Sequence, residues 1–156
     1  MDEVPAAVFV YGTLKQGERN FPVSQRAGWL RSERGWLGGF QLFHIPRRER
    51  LPYSYPAMAR GEGRVWGEVQ WFADLETALE ALDVLEDEGR EYLRIPAEAH
   101  LGGTLEHHGF DETPTVQVWT YVYPDQGAIN RARGILLPDG VWLESEAPDE
   151  AVQGER

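Results

Sequence analysis

Hydrophobic positions along this chain follow two periods. Residues 7–11, Ala-Val-Phe-Val-Tyr, form an unbroken apolar run that ends at Gly12, the pattern of a strand buried on both faces. Residues 36–45 place Phe40, Leu42 and His44 on alternate positions, which predicts a second strand. A third covers 64–72, with Gly67 as a bulge or a point of close approach, and two more cover 92–100 and 115–123. Residues 12–22 are polar, with Gly12, Gly17 and Pro22, and read as a loop or short helical turn; 46–56 carry Pro46, Pro52 and Pro56 and read as a long surface loop. Only 74–88 has a helical period, with Asp74 placed to cap its start and Gly89 to stop it. Five or six strands with one good helix predict an α+β fold whose small mixed sheet is strongly curved or barrel-like.

That helix carries one misplaced acid. At about 100° per residue, Leu75, Ala78, Leu79, Leu82 and Leu85 fall in an apolar stripe roughly 120° wide, while Glu76, Glu80, Asp83 and Asp87 fall outside it. Glu86 falls inside, about 40° from Leu82 by the same spacing. An ionised carboxylate on a buried face is costly unless paired or protonated, and burial raises its pKa toward the range a general acid or base needs. The plainer alternative is a fraying helix end from which Glu86 reaches water or Arg94.

Composition narrows the field. A length of 156 residues fits one domain, and 42% hydrophobic with 12% aromatic residues supplies a core. The net charge of −11 repels nucleic acid and anionic membranes; the densest basic run, Arg47-Arg48-Glu49-Arg50, is short and interrupted by an acid. With no cysteine, disulfides, thiolate nucleophiles and Cys-based metal sites are excluded. No run reaches transmembrane length, and Met1-Asp2-Glu3-Val4 lacks the basic start of a signal peptide, so a cytoplasmic protein is expected. From Leu143 onward the chain holds five acids and one base; we expect one domain over 1–142 and a solvated acidic tail over 143–156. His107-His108, flanked by Glu106, Asp111 and Glu112, are adjacent positions on one loop and do not suit a tetrahedral shell. His44 and His100 stand singly in strands. No metal and no cofactor are expected.

The first strand runs into Gly12-Thr13-Leu14-Lys15-Gln16-Gly17. Glycine at a strand exit permits close approach to the backbone, and successive free N–H groups make an anion site or oxyanion hole. Its spacing matches neither a dinucleotide fingerprint nor a P-loop.

Taken together, Tyr11-Gly12-Thr13-Leu14 with Lys15, Gly17 and Asn20 resembles the N-terminal signature of the gamma-glutamylcyclotransferase-like superfamily, in particular its small bacterial and gamma-glutamylamine cyclotransferase branch. Gly39-Phe40-x-Leu42-Phe43, Tyr55-Pro56-Ala57-Met58, Val65-x-Gly67-Glu68-Val69, Leu82-Asp83-x-Leu85-Glu86 with Tyr92-x-Arg94, Trp119-x-Tyr121-Val122-Tyr123 and Gly140-x-Trp142 follow in the family's order. The resemblance implies an amide-cleaving cyclotransferase in which a gamma-glutamyl amine or amino acid becomes 5-oxoproline and a free amine. Glu86 occupies the position of the family's catalytic acid/base. Gly12, Thr13 and Leu14, after Tyr11, would bind the substrate through the backbone, and Tyr121, less so Tyr123, would line the pocket. Tyr92 and Arg94 would either orient Glu86 or serve ordinary cross-strand and ion-pair roles. The chain departs from the family in carrying Asp87-Glu88 where glycine usually follows the Glu, and a second charge there would raise the Glu86 pKa further or alter the pocket. Stretches 46–54 and 101–114 are longer than usual. The implied partner is a small gamma-glutamyl molecule. A reading from another class is a non-catalytic protein of the same fold that binds a metabolite or a protein. The sequence assigns neither the leaving amine nor an oligomeric state.

Overall fold

The computed structural model describes residues 4–46, 54–102 and 114–143. Their elements, in chain order, are β1 (Ala7–Val10), α1 (Phe21–Arg26), β2 (Trp29–Ile45), β3 (Tyr55–Phe72), α2 (Leu75–Glu86), β4 (Leu93–Leu101), β5 (Thr115–Val122), α3 (Gln126–Arg131) and β6 (Ile135–Leu137). The strands hydrogen-bond in the order β3-β1-β5-β4-β2-β6, and β2 also pairs with β3. That last pairing closes five strands into a barrel, with β6 added beside the far half of β2. Pairing is antiparallel except between β1 and β5. Closure removes the exposed edges that a flat sheet of this size would carry.

The sheet can close because its two longest strands bend. The register of β2 against β3 shifts between Gly38 and Phe40, where Gly39 has φ +87°. Beyond this bulge β2 changes neighbours: Gly35 and Trp36 face β4, whereas Leu42 to His44 face β6. Gly67 is the expected close approach, since a Cβ there would lie 2.2 Å from the Val10 carbonyl; the bulge itself is at Gly38–Phe40. Strand β1 is buried on both faces. Ala7 and Phe9 join one core cluster with Leu37, Met58, Val65, Val118 and Trp142. Val8 and Val10 join a second with Phe72, Ala78, Leu79 and Leu82 of α2.

Several boundaries differ from the sequence reading. β2 begins at Trp29 and β3 at Tyr55, so Tyr55 and Pro56 belong to a strand; residues 47–53 of the expected loop lie outside the described residues. Helices α1 and α3 and strand β6 were not expected; each spans six residues or fewer, too short to show a period. Helix α2 is capped as predicted, the Asp74 carboxylate accepting from the Thr77 N–H at 3.3 Å. It stops at Glu86, earlier than Gly89, because Asp87 adopts the left-handed conformation at φ +54°. His107, His108 and the tail from 144 lie outside the described residues, as does most of 101–114.

Candidate active site

The end of β1, the start of β3, the end of α2 and strand β5 converge on a cavity of about 190 Å³. That is smaller than the roughly 300–1,000 Å³ typical of drug-sized ligands and suits a small metabolite. Its wall includes Tyr11, Gly12, Thr13, Leu14, Tyr121 and Glu86, so all six residues singled out in the sequence meet there. Arg19, Asn20, Tyr55, Pro56, Leu85, Glu91 and Tyr92 also line it.

Glu86 is the last residue of α2. The residue as a whole keeps some solvent contact, but its carboxyl is desolvated; burial pushes its pKa up to about 8, and the Glu91 carboxylate adds to the rise. Asp87 and Glu88, expected to raise it, are not among the causes. Nor does Glu86 reach Arg94: the guanidinium donates to Asp83 at 2.9 and 3.2 Å and lies over the Trp119 ring, 4.6 Å from its centroid. Among the described residues the Glu86 side chain has no hydrogen-bond or ion-pair partner. Asp83, placed in the sequence among the solvated acids, is half-buried and also accepts from the Tyr121 hydroxyl at 2.7 Å. Leu85, placed in the core stripe, sits 38% exposed at the cavity wall instead. The last turn of the helix thus brings both Leu85 and Glu86 to the cavity wall.

Around Glu86 stand phenols that stay protonated. Burial pushes the pKa of Tyr11, Tyr92 and Tyr121 upward, and the Glu86 charge contributes to each. Their hydroxyls are committed to partners other than Glu86. Tyr11 donates to the Tyr121 carbonyl at 2.5 Å and Tyr92 to the Pro56 carbonyl at 2.6 Å. Tyr92 and Arg94 therefore make structural contacts rather than orienting Glu86. Tyr123 lies behind the wall and donates to Glu91 at 2.6 Å.

The turn after β1 is held from below. Fully buried Gln70 donates to the Leu14 carbonyl at 3.0 Å and accepts from the Ser24 hydroxyl at 2.8 Å. Asn20 donates to the Thr13 hydroxyl at 3.0 Å, and its backbone N–H to the Thr13 carbonyl at 2.7 Å. No described residue accepts a hydrogen bond from the N–H of Gly12, Thr13 or Leu14. Gly12 answers to packing as well: a Cβ there would lie 2.2 Å from Pro56 Cγ. Lys15 turns away from the cavity and donates to the Trp142 carbonyl at 2.6 Å. Sequence reasoning missed Glu91, Arg19 and Gln70; each is a single polar residue in a loop or strand, and only the closed barrel shows what it faces. Among the described residues, no three potential metal ligands cluster.

Comparison with known proteins gives this cavity a context. The family model described as gamma-glutamyl cyclotransferase, AIG2-like, matches residues 8–144. A Vibrio cholerae protein provisionally named gamma-glutamylcyclotransferase is 31% identical over 140 residues, spanning 88% of this chain and 95% of its own. The crystal structure of a mouse AIG2-like protein superposes with a TM-score of 0.66 at 22% identity, covering 95% of this chain and 94% of that one. The solution structure of an Arabidopsis thaliana protein gives 0.56 at 24% identity, covering 99% and 85%. These two establish a shared fold, whereas the family match extends along nearly the whole described barrel and takes in every residue of the cavity wall. The chain belongs to the gamma-glutamyl cyclotransferase, AIG2-like family.

Proposed function

We propose that this protein cyclises a gamma-glutamyl amine or amino acid to 5-oxoproline, releasing the free amine, with Glu86 as general base and then general acid. The observation that carries the reading is a desolvated carboxyl, without a partner among the described residues and with a pKa near 8, on the wall of a small cavity. A general base works best with a pKa near the operating pH.

The substrate brings its own nucleophile. Its α-ammonium gives a proton to the Glu86 carboxylate, and the freed nitrogen lone pair attacks the γ-carbonyl carbon. A C–N bond forms, and the carbonyl oxygen becomes an oxyanion. Glu86 returns that proton to the amide nitrogen, and the original C–N bond breaks as the oxyanion collapses to the lactam carbonyl. Glu86 takes the second proton from the ring nitrogen and passes it to the released amine, which leaves as an ammonium. Protons and electrons balance without water or a cofactor. The N–H groups of Gly12, Thr13 and Leu14 suit the α-carboxylate or the oxyanion, with the Arg19 charge nearby. One well-aimed oxyanion donor is worth about 3 kcal/mol, and holding amine and carbonyl in attack geometry several more.

The test is 5-oxoproline release from a panel of gamma-glutamyl amides. Turnover is expected, with Glu86→Gln lowering kcat by about 10²–10⁴-fold and binding changing much less. A folded parent protein that releases nothing from any gamma-glutamyl amide would instead favour a non-catalytic binding protein on the same fold.

A further inference from the structure

Glu91 is a second acid in the same cavity. It lies in the short segment between α2 and β4, which is fixed by the Gly89 N–H to the Tyr92 carbonyl at 2.7 Å and the Glu91 N–H to the Asp87 carbonyl at 3.0 Å. One carboxylate oxygen, Oε2, accepts from two phenols, Tyr55 at 2.5 Å and Tyr123 at 2.6 Å, whose hydroxyls are 3.1 Å apart. This sets the side chain in one orientation. Phenols are neutral donors and bring no countercharge. A carboxylate has about four acceptor positions, and Oε1 has no partner among the described residues. No arginine, lysine or histidine among them pairs with Glu91 either. Arg19 lines the same cavity without pairing with Glu91, and a carboxylate drawn inward without a paired cation is costly, a cost that a positively charged ligand would offset.

Resting on the cyclotransferase reading for the placement of the substrate, we infer that Glu91 is a specificity-determining residue that binds a second cationic nitrogen, carried by the leaving amine. The α-nitrogen is the wrong occupant. A carboxylate that held it as ammonium would keep its lone pair protonated and oppose attack; that nitrogen belongs at Glu86. The remaining cation must lie on the other side of the scissile bond. The substrate class is therefore the gamma-glutamyl amide of a diamine, a polyamine or another amine that retains a positive charge after acylation.

Two probes of equal length separate the possibilities: the gamma-glutamyl amides of 1,4-diaminobutane and of n-pentylamine, which differ by an ammonium in place of a methyl. Their affinities are measured by calorimetry on the Glu86→Gln protein and on the Glu86→Gln/Glu91→Gln double variant. The diamine amide should bind at least 10-fold more tightly to the first, and this preference should vanish in the second while the pentylamide affinity holds. The glutamine oxygen can still accept from both tyrosines, so thermal melts should coincide. A preference that is absent, or that survives Glu91→Gln, overturns the inference, as does an equal loss for both amides. Release of 5-oxoproline by the parent protein is scored separately. If neither amide is turned over but the ammonium preference depends on Glu91, the subsite stands and the catalytic reading fails.

Discussion

Glu86 combines two properties that a surface acid lacks, desolvation and a like-charged neighbour, and both act on the same proton. Its pKa of about 8 lies above the usual 4.5, with burial the larger cause and Glu91 the smaller. If Glu86 acts as base, kcat/KM should rise with pH through an inflection near 8, since that ratio reports the free enzyme. Glu91→Gln removes the repulsive charge and should move the inflection downward, though not to the ordinary value, because desolvation remains. A pH–rate profile unchanged by that variant would show that Glu91 does not act on Glu86. Stability follows the same proton. The folded state holds it more tightly than the unfolded chain, so the contribution of Glu86 is fully present below about pH 4.5 and is lost as pH rises through about 8. At about 1.4 kcal/mol per pKa unit, the Glu86→Gln protein should gain up to a few kcal/mol over the parent across that window, measured by denaturant titration at several pH values. Gly12 needs a different test. Its Cβ would enter the Pro56 ring, so Gly12→Ala should destabilise by about 1–3 kcal/mol, the usual cost of overpacking, and lost binding in a glycine variant says nothing by itself about a backbone cradle.

Helix α2 illustrates which parts of an element a sequence exposes. Its start was legible because a cap is a local hydrogen bond. Its inward face was legible because Ala78, Leu79 and Leu82 repeat at helical spacing, and all three are buried. Its final turn was only half legible: the wheel marks Glu86 as facing inward but cannot distinguish core from cavity, and so it misassigned Leu85. Asp83 was misread for a similar reason, because Tyr121 and Arg94, which hold it, come from strands that only the closed barrel brings alongside. The position directly after Glu86, where the family resemblance implies a glycine, takes φ +54° here and is filled by Asp87, a conformation that glycine adopts without strain. An aspartate pays roughly 1 kcal/mol for this conformation and also places negative charge at the helix C-terminus, which carries no basic residue in its last turn. The exposed contact of Asp87 with Arg90 at 3.9 Å gives little in return. Asp87→Gly should therefore raise stability by about 0.5–1 kcal/mol, seen as a Tm increase of about 1–4 °C, with activity retained. A lower Tm would show that the Asp87–Arg90 contact outweighs the strain.

At the scale of the molecule, the strand periods predicted a small mixed sheet, strongly curved or barrel-like, and the sheet closes into a barrel; what they did not show is which strands pair, because the parallel β1–β5 and the β2–β4 pairings join residues far apart in the chain. The last described residues take part in that closure. Gly140, at φ +72°, presses its backbone against Arg64, where a Cβ would lie 2.0 Å from the carbonyl oxygen, and its own carbonyl accepts from the Trp66 N–H at 2.8 Å. Trp142 is then fully buried, its indole N–H donating to buried His44 at 3.0 Å while its carbonyl accepts from Lys15. Lys15 follows directly on the Gly12–Leu14 turn, so one tryptophan ties the end of the barrel to the floor of the cavity. Beyond it the composition turns strongly acidic and offers little apolar area to offset the ordering of the chain. Two variants on either side of this boundary should therefore behave oppositely. Truncation after Leu143 should leave Tm within a few degrees and turnover unchanged. Trp142→Ala should cost about 3–5 kcal/mol, the usual range for a buried tryptophan, and should also loosen the turn, because a cavity would open beside Lys15 and leave the His44 nitrogen without its donor. Thermal melts of the two proteins decide the matter: a large drop on truncation would mean that the acidic segment docks on the barrel, and a small one for Trp142→Ala would mean that the barrel closes without its last residue.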